Sequence, residues 1–337
     1  LDWIDRFGAD ATRFTLARGA SPGGDVAISE EWAAGARNFC NKLWNAARFA
    51  LLNGAGAGAA LPAPGEPGYS ELSTADRWIL SRLTAVTAEV DVLMEDYQHA
   101  KACDALYHFA WDEFCDWYLE LTKVPLASGD ERAAETTRRV LGFVLDQMLR
   151  LLHPVIPFVT DELWRALTGE DSVMVADWPS YEFSDPAAEA EIASLMRLVT
   201  EIRRFRSDQG LRPGQRVPAR LTGIESTPLA PHEESIRTLL RLTPPEAGFA
   251  PSASLAIEGV TVELDLAGTV DIEAERRRLE KDLTAARKEA QQASAKLGNE
   301  SFTGKAPADV IAKTRQRLAT AESDIARLET RLATLPG

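Results

Sequence analysis

Wound at 100° per residue, the stretch 35–51 places Arg37, Asn38, Asn41, Lys42, Asn45 and Arg48 on one arc of about 140°. Phe49 lies inside that arc, while Ala36, Phe39, Cys40, Leu43, Trp44, Ala46, Ala47, Ala50 and Leu51 fill the opposite side. Asparagine is a poor helix former, so three on one helical face call for a reason. An asparagine amide offers a donor and an acceptor to a base edge, arginine reaches bases or phosphates, and phenylalanine can stack. That chemistry would recognise a nucleic acid. The competing reading is a solvated face whose asparagines bond neighbouring backbone, and spacing alone leaves the two level.

Two further clusters are basic. Arg203, Arg204 and Arg206 surround Phe205, with Arg197, Arg212, Arg216 and Arg220 nearby. They fit a phosphate-contacting stripe of salt-dependent affinity or a set of ion pairs with acidic helices, the second weighing slightly more. Arg276, Arg277, Arg278, Lys281, Arg287 and Lys288 are answered later in the chain by Arg315 and Arg317. Such charges routinely pair across a helical hairpin, but Arg276 falls on an apolar seam position, as if the hairpin's base docks on something. The tip, Asn299-Glu300-Ser301-Phe302, carries an aromatic.

Groups for making or breaking bonds are scarce. His99, His108, His153 and His232 have no partner at metal-ligand spacing, and no GxSxG, Walker or GxGxxG pattern occurs. His153, just before Pro154, reads as a structural imidazole near a helix C-terminus. Cys40, Cys103 and Cys115 lie far apart, which argues against zinc or disulfides and for buried thiols in a reducing cytoplasm. No apolar run approaches the eighteen residues of a membrane helix. The net charge of −14 is uneven: 69–196 holds 9 basic and 24 acidic side chains, 197–222 holds 7 and 2, and 271–337 holds 13 and 11. A polyanion would therefore be held at patches.

The elements that would position these groups are mostly helices. Residues 1–20 read as a short helical or mixed segment closed by the turn Ser21-Pro22-Gly23-Gly24. Ser29 is a good N-cap for a helix reaching Leu52, stopped by Asn53-Gly54. Residues 54–68 read as a flexible surface loop with nothing to bury. Ser73 and Asp76 form a capping box with Asp in place of Glu, and helices are expected over 99–124, 130–152 and 158–167. Trp111, Phe114, Trp117 and Tyr118 recur at helical spacing and read as core. A helix over 186–209 leads to β-rich runs at 217–221, 254–257 and 261–266 with a helix at 232–242, a small α/β module.

The last segment is a coiled-coil hairpin. Ile272, Arg276, Leu279, Leu283, Ala286, Ala290, Ala293 and Leu297 step by fours and threes, as do Ile311, Thr314, Leu318, Ala321, Ile325, Leu328, Leu332 and Leu335. Gly298, Gly304 and Pro307 separate the two seams.

Several stretches carry a family resemblance. Phe7-Gly8-Ala9-Asp10-Ala11-Thr12-Arg13-Phe14 resembles the segment following the lysine-serine signature of class I synthetases. Ala36-Arg37-Asn38-Phe39-Cys40-Asn41-Lys42-Leu43-Trp44-Asn45-Ala46, Glu113–Tyr118 and His153-Pro154-Val155-Ile156-Pro157-Phe158 resemble the anticodon-binding bundle of the Val, Ile and Leu enzymes. Lys296-Leu297-Gly298-Asn299-Glu300-Ser301-Phe302, then Ala306-Pro307, is similar to the terminal arm of valyl-tRNA synthetases in particular. An isoleucyl enzyme would often end in a cysteine-rich zinc module instead, and a protein-docking scaffold is the rival from another class.

The resemblance implies a mostly α chain cut from something longer. Residues 1–28 would end a catalytic or stem-contact region, and 29–180 would be the anticodon-binding helical bundle. Residues 181–270 would be a junction helix with a small α/β module, and 271–337 a coiled-coil tRNA-binding arm. It implies tRNA(Val) as partner, with no membrane and no DNA, a monomer, and a cytoplasmic setting. Arg37, Asn38, Asn41, Lys42, Asn45, Arg48, Arg203, Arg204, Arg206, Arg277, Arg278, Lys281, Lys288 and Arg315 are its expected tRNA contacts. ATP and Mg²⁺ would serve valine activation and transfer in upstream domains, where threonine editing would also sit. No cofactor and no catalysis are expected of this piece.

Overall fold

Helices start where a capping side chain precedes an apolar stripe. In the computed structural model, which describes residues 2–20, 28–58, 61–62, 65–66, 68–266, 272–298 and 308–334, α1 spans Asp2–Phe7 and α2 Ala9–Gly19. Helix α3 covers Glu30–Leu52, and the Ser29 hydroxyl accepts from the Trp32 N–H as expected. Helix α4 covers Thr74–Glu95 behind the Ser73/Asp76 capping box. Asp76 is buried, accepting from the Ser73 and Tyr118 hydroxyls at 2.7 Å each, so the cap also ties α4 to the aromatic segment 109–118.

Next comes one continuous helical rod. Helix α5 (His99–His108) passes into a π-helical stretch, Phe109–Tyr118, and on into α6 (Leu119–Ala127). Helix α7 (Glu131–Leu152), capped by Asp130, is buried over most of its circumference. Helix α8 covers Pro157–Thr168 and α9 Pro186–Asp208. Strand β1 (Val217–Thr222) and helix α10 (Glu233–Leu240) are followed by strands β2 (Leu242–Thr243), β3 (Ala253–Ile257) and β4 (Val260–Leu264). Helices α11 (Ile272–Leu297) and α12 (Ala308–Thr334) complete the described chain.

The chain divides into two compact units, 1–200 with 223–240 and 258–260, and 201–222 with 241–257 and 261–337. In the first, α3 packs on α2, α7, α8 and the π stretch around the fully buried Phe14, Phe39, Phe114, Tyr118 and Trp164. Asp146 on α7 is a buried hub, accepting from Trp164 Nε1 at 2.5 Å, Gln147 Nε2 at 2.6 Å and Arg150 Nε at 2.9 Å. Helix α8 has no cap of its own from Ile156, and Asp10 of α2 supplies one, accepting from the Phe158 and Val159 N–H groups at 3.2 and 2.7 Å. Arg13, one turn on, donates to the Val155 and Pro154 carbonyls at 3.0 and 3.1 Å. Both free ends of the turn between α7 and α8 are thus satisfied by one distant helix.

The loop after α3 is a correction to the sequence expectation. Ala55 is buried, and the Gly56 backbone lies so close to Gly142 of α7 that a Cβ on Gly142 would collide with the Gly56 carbonyl. Gly142 has no side chain, and that absence admits another backbone; residues 59, 60, 63, 64 and 67 lie outside the described set.

In the second unit the sheet order is β2-β1-β4-β3, with β1/β2 parallel and β1/β4 antiparallel, Ala219 facing Leu264. Val217, Ala219 and Leu221 alternate inward with period two, as a strand buried on one face must. The turn between β3 and β4 places Glu258 and Gly259 at φ 51° and 80°, the left-handed pair of a tight hairpin. Strand β2 is only two residues long, too short for any periodicity to announce. The hairpin α11/α12 buries Leu279, Leu283, Ala293, Thr314, Ala321 and Leu328 on its seam. Arg276, expected on the seam, is exposed. A charged head buried at a seam would cost desolvation, and at this position it is instead exposed and engaged. Ile272, Leu335 and the tip 299–302 fall outside the described side chains.

Two outcomes follow from these contacts. Gly142→Ala should destabilise by about 1–3 kcal/mol despite better helix propensity, whereas Gly35→Ala, whose Cβ meets nothing within 4 Å, should be neutral or stabilising. Urea midpoints of the two variants decide this. His153 bonds the Thr160 hydroxyl at 2.9 Å, and burial lowers its pKa below the ordinary 6.5. The unfolded chain therefore binds this proton first, so stability should fall as pH drops below about 6.5 toward the folded value. His153→Asn should flatten that decline, and identical slopes in both proteins would refute the assignment.

Candidate nucleic-acid interface

Helix α3 is held by its apolar side, so its polar side must face outward. Phe39, fully buried, sits 5.0 Å from the Phe14 ring, 5.1 Å from Tyr107 and 6.4 Å from Trp111. Arg37, Asn38, Asn41, Asn45 and Arg48 are exposed on the far side. Asn45 Nδ2 donates to the Asn41 carbonyl at 2.9 Å, so one asparagine does bridge its own backbone. Arg37 lies 5.8 Å from the Phe7 ring centroid. Asn38, Asn41 and Arg48 have no side-chain partner among the described residues.

Lys42 differs from its neighbours. Its Nζ is 3.8 Å above the Trp111 ring and 2.5 Å from Asp116, and its side chain is 24% exposed, so the cation is already engaged. Trp111 and Asp116 were not among the sequence-derived site residues. At 3.6 residues per turn they point in different directions, but in a π-helical stretch i and i+5 share a side. Trp111 and Trp117 are consequently half-buried, while Phe114 and Tyr118 are core as expected.

The basic run splits. Arg206 is a correction to the expected stripe: it is 5% exposed and donates through Nη2 to the Gln215 carbonyl at 2.6 Å. Burial lowers its pKa, and its Nη1 is buried without a partner. It fastens the 209–216 loop to the end of α9. Arg203 and Arg204 are exposed, Arg203 already engaged and Arg204 3.8 Å from Glu201. Arg197 forms a bidentate pair with Glu258 at 2.8 and 3.1 Å, which holds that carboxyl below its ordinary value. Arg220 lies 3.4 Å from Glu263. These pairs are made within the helix and sheet that carry the arginines.

On the arm the two helices pair with each other. Arg287 meets Glu329 at 2.7 Å and Arg317 meets Glu289 at 2.5 Å. Lys281, Lys288 and Arg315 are exposed with no partner among the described residues. Arg277 is exposed and engaged, and the Arg278 side chain lies outside the described set. Arg277, Lys281 and Lys288 stand at spacings of four and seven, within about 40° on the side of α11 opposite its apolar seam. Packing the seam turns these cations outward.

Chemistry of other kinds finds little material. Among the described residues no three His, Cys, Asp or Glu side chains converge to hold a metal ion, and no helix is long and apolar enough to cross a membrane. Cys103 and Cys115 are buried and Cys40 partly so. Burial pushes their thiols up to about 11, 12 and 12, so they stay protonated and inert.

Comparison with known proteins agrees with this division of labour. Residues 76–221 match the family described as "Anticodon-binding domain of tRNA ligase", and 271–336 match "Valyl tRNA synthetase tRNA binding arm". The chain is 60% identical over 337 residues to the valine–tRNA ligase of Streptomyces avermitilis, covering 100% of this chain and 38% of that protein. It is 53% identical over 344 residues to the enzyme of Mycobacterium tuberculosis H37Rv and 49% identical over 346 residues to that of Corynebacterium glutamicum, covering 99% of this chain and 38% of each. The chain thus spans well under half the length of these relatives. A bundle presenting an asparagine- and arginine-bearing helix, an antiparallel arm with outward cations, and these relatives together place the chain in the valyl-tRNA synthetase family.

Proposed function

We propose that this chain grips tRNA(Val) at two places and orients it for ligation by the rest of a longer protein. The bundle within 29–180 would face the anticodon side, and the arm within 271–337 would lean on the outer corner of the tRNA. The observation that carries the reading is the α3 face. Five exposed polar side chains are aligned on one side of a helix whose other side is locked in the core. Asn38 and Asn41 offer both hydrogen-bonding senses to bases, Arg37 and Arg48 add charge, and Lys42 joins when Asp116 releases it. Lys281, Lys288 and Arg315 hold phosphates on the arm. The chain contributes by positioning, which lowers a barrier by fixing the reactants' geometry.

ATP and Mg²⁺ belong to the proposed activity of the whole protein, where they would activate valine. Among the described residues no three metal-binding side chains converge where Mg²⁺ could be held. The proposal includes a monomeric chain. Relatives named as valine–tRNA ligases favour valine over isoleucine.

Fluorescence anisotropy with labelled tRNA(Val) tests this directly. Affinity should fall steeply with salt, and Lys281→Gln with Lys288→Gln should reduce the log–log slope by roughly one each. An affinity indifferent to salt would sink the phosphate-contact model, and equal affinity for an anticodon variant would sink the role of α3. Asp116→Asn should free Lys42 and remove a negative charge beside it, tightening tRNA binding roughly threefold at low salt. Its stability cost should stay within about 1 kcal/mol, since the pair is partly exposed. Unchanged or weaker binding would mean Lys42 serves packing only.

A further inference from the structure

The basic run loses Arg206 to burial and Arg220 to Glu263, but not every arginine near it is spent. The side chains of Arg212 and Arg216 are exposed and have no partner among the described residues. Arg241, the residue after α10, is in the same condition. All three belong to the second unit, and its sheet brings them together. Val217 pairs in register with Leu242, and its N–H donates to the Arg241 carbonyl at 3.0 Å. Arg216 and Arg241 therefore stand at the heads of neighbouring parallel strands, with backbones about 4.8 Å apart. Arg212 lies one turn away. The Gln215 N–H donates to its carbonyl at 3.0 Å and closes the turn Arg212-Pro213-Gly214-Gln215.

Stability argues against this arrangement. Like charges at adjacent strand positions repel. Arg241 also has φ 54°, a left-handed backbone that is unfavourable for a residue with a side chain. The turn is nonetheless held in place. The Gln215 carbonyl accepts from the buried Arg206 Nη2 at 2.6 Å, and its side-chain oxygen accepts from the Arg212 N–H at 3.2 Å. Pro213 fixes φ at the second position of the turn. Arg206 stays protonated although burial lowers its pKa, so a further positive charge lies behind the turn, shielded from salt. Gly214 leaves the apex bare, since a Cβ there would meet nothing within 4 Å.

Three unpaired guanidinium groups over a buried fourth call for an anion rich in oxygens. Their forked N–H groups match phosphate oxygens two at a time. Gln215 is spent on the turn, so the trio brings donors and charge without an acceptor for a base's donor edge. Such a site holds backbone and reads no sequence. We infer that Arg212, Arg216 and Arg241 form a third RNA contact, a sequence-independent site for backbone phosphates, made by neither α3 nor the arm helices. The assignment rests on the proposed tRNA binding. Arg216 and Arg241 close on one phosphate from two strands, and Arg212 takes its neighbour.

The test uses the whole 337-residue chain. Arg216→Gln combined with Arg241→Gln should weaken tRNA(Val) binding roughly tenfold at low salt and lower the log–log salt slope by roughly one to two. The loss should be equal for an anticodon variant of the tRNA. Phosphate-ethylation interference should lose positions that Lys281→Gln with Lys288→Gln leaves unaffected. Arg241→Gly guards against misfolding: it should melt close to the parent, because the strain it relieves offsets the freedom glycine adds to the unfolded chain. It should still bind tRNA several-fold more weakly. A parent that binds tRNA, with both variants matching its affinity, slope and phosphate pattern, overturns this site and leaves the tRNA reading intact. A parent that binds no tRNA, yet is stabilised against heat by tripolyphosphate only while Arg216 and Arg241 are present, overturns RNA as the ligand. Poly-glutamate that competes as well as tRNA at equal charge would also overturn it, in favour of an acidic protein.

Discussion

The burial of Phe39 is the constraint on which the recognition face depends. A helix of 23 residues can rotate about its axis, and only its packing decides which side meets solvent. Phe39 lies among Phe14, Tyr107 and Trp111, with Leu43, Ala46, Ala47 and Ala50 buried along the same side. A rotation of α3 by one residue's angle would bury an asparagine and expose an aromatic, costing a few kcal/mol on both counts. Rigidity of the apolar side therefore fixes where Asn38, Asn41, Asn45 and Arg48 point. Recognition by side chains needs that fixity, because each freely rotating contact would lose entropy on binding.

The same logic extends to the turn between α7 and α8. Asp10 accepts from two N–H groups at the start of α8, and Arg13 donates to two carbonyls just before it. Two stretches far apart in the chain, Gly8–Phe14 and His153–Phe158, are thus halves of one device that closes the bundle. Their side-chain types follow from the task. A helix N-terminus attracts a carboxylate, and a row of free carbonyls attracts a guanidinium.

Charge is organised by local pairing as much as by regional balance. The strongly acidic stretch 69–196 holds several of its carboxylates beside specific partners, as Asp185 is with Arg77 at 2.9 Å and Tyr69 at 2.7 Å. Arginines at 197, 220, 287 and 317 likewise have carboxylates in reach. Such pairs contribute little stability when exposed, but they neutralise cations that would otherwise compete for a polyanion. Arg48, Lys281, Lys288 and Arg315 are among the cations that have no such partner among the described residues, and they are distinguished by what they lack.

Periodicity and capping made most of the helical framework legible from the residues: Ser29, the Ser73/Asp76 box, the two arm seams and the outward face of α3. Those signals are local, arising from side chains three or four apart on one backbone, so they survive without knowledge of the fold. The free loop after α3 and the exposed stripe through Arg206 did not survive. Each turns on a neighbour beyond the reach of helical spacing: the Gly56 backbone against Gly142 and the Gln215 carbonyl against Arg206. The engagement of Lys42 by Trp111 and Asp116 required a π-helical stretch that a 3.6-residue period cannot reveal. The meeting of Arg216 and Arg241 required two strands to pair in register. Sequence determined which faces exist, because amphipathicity is written in spacing. Tertiary structure alone decided which polar groups on those faces are spent on each other, because that depends on distances between segments the chain order does not relate.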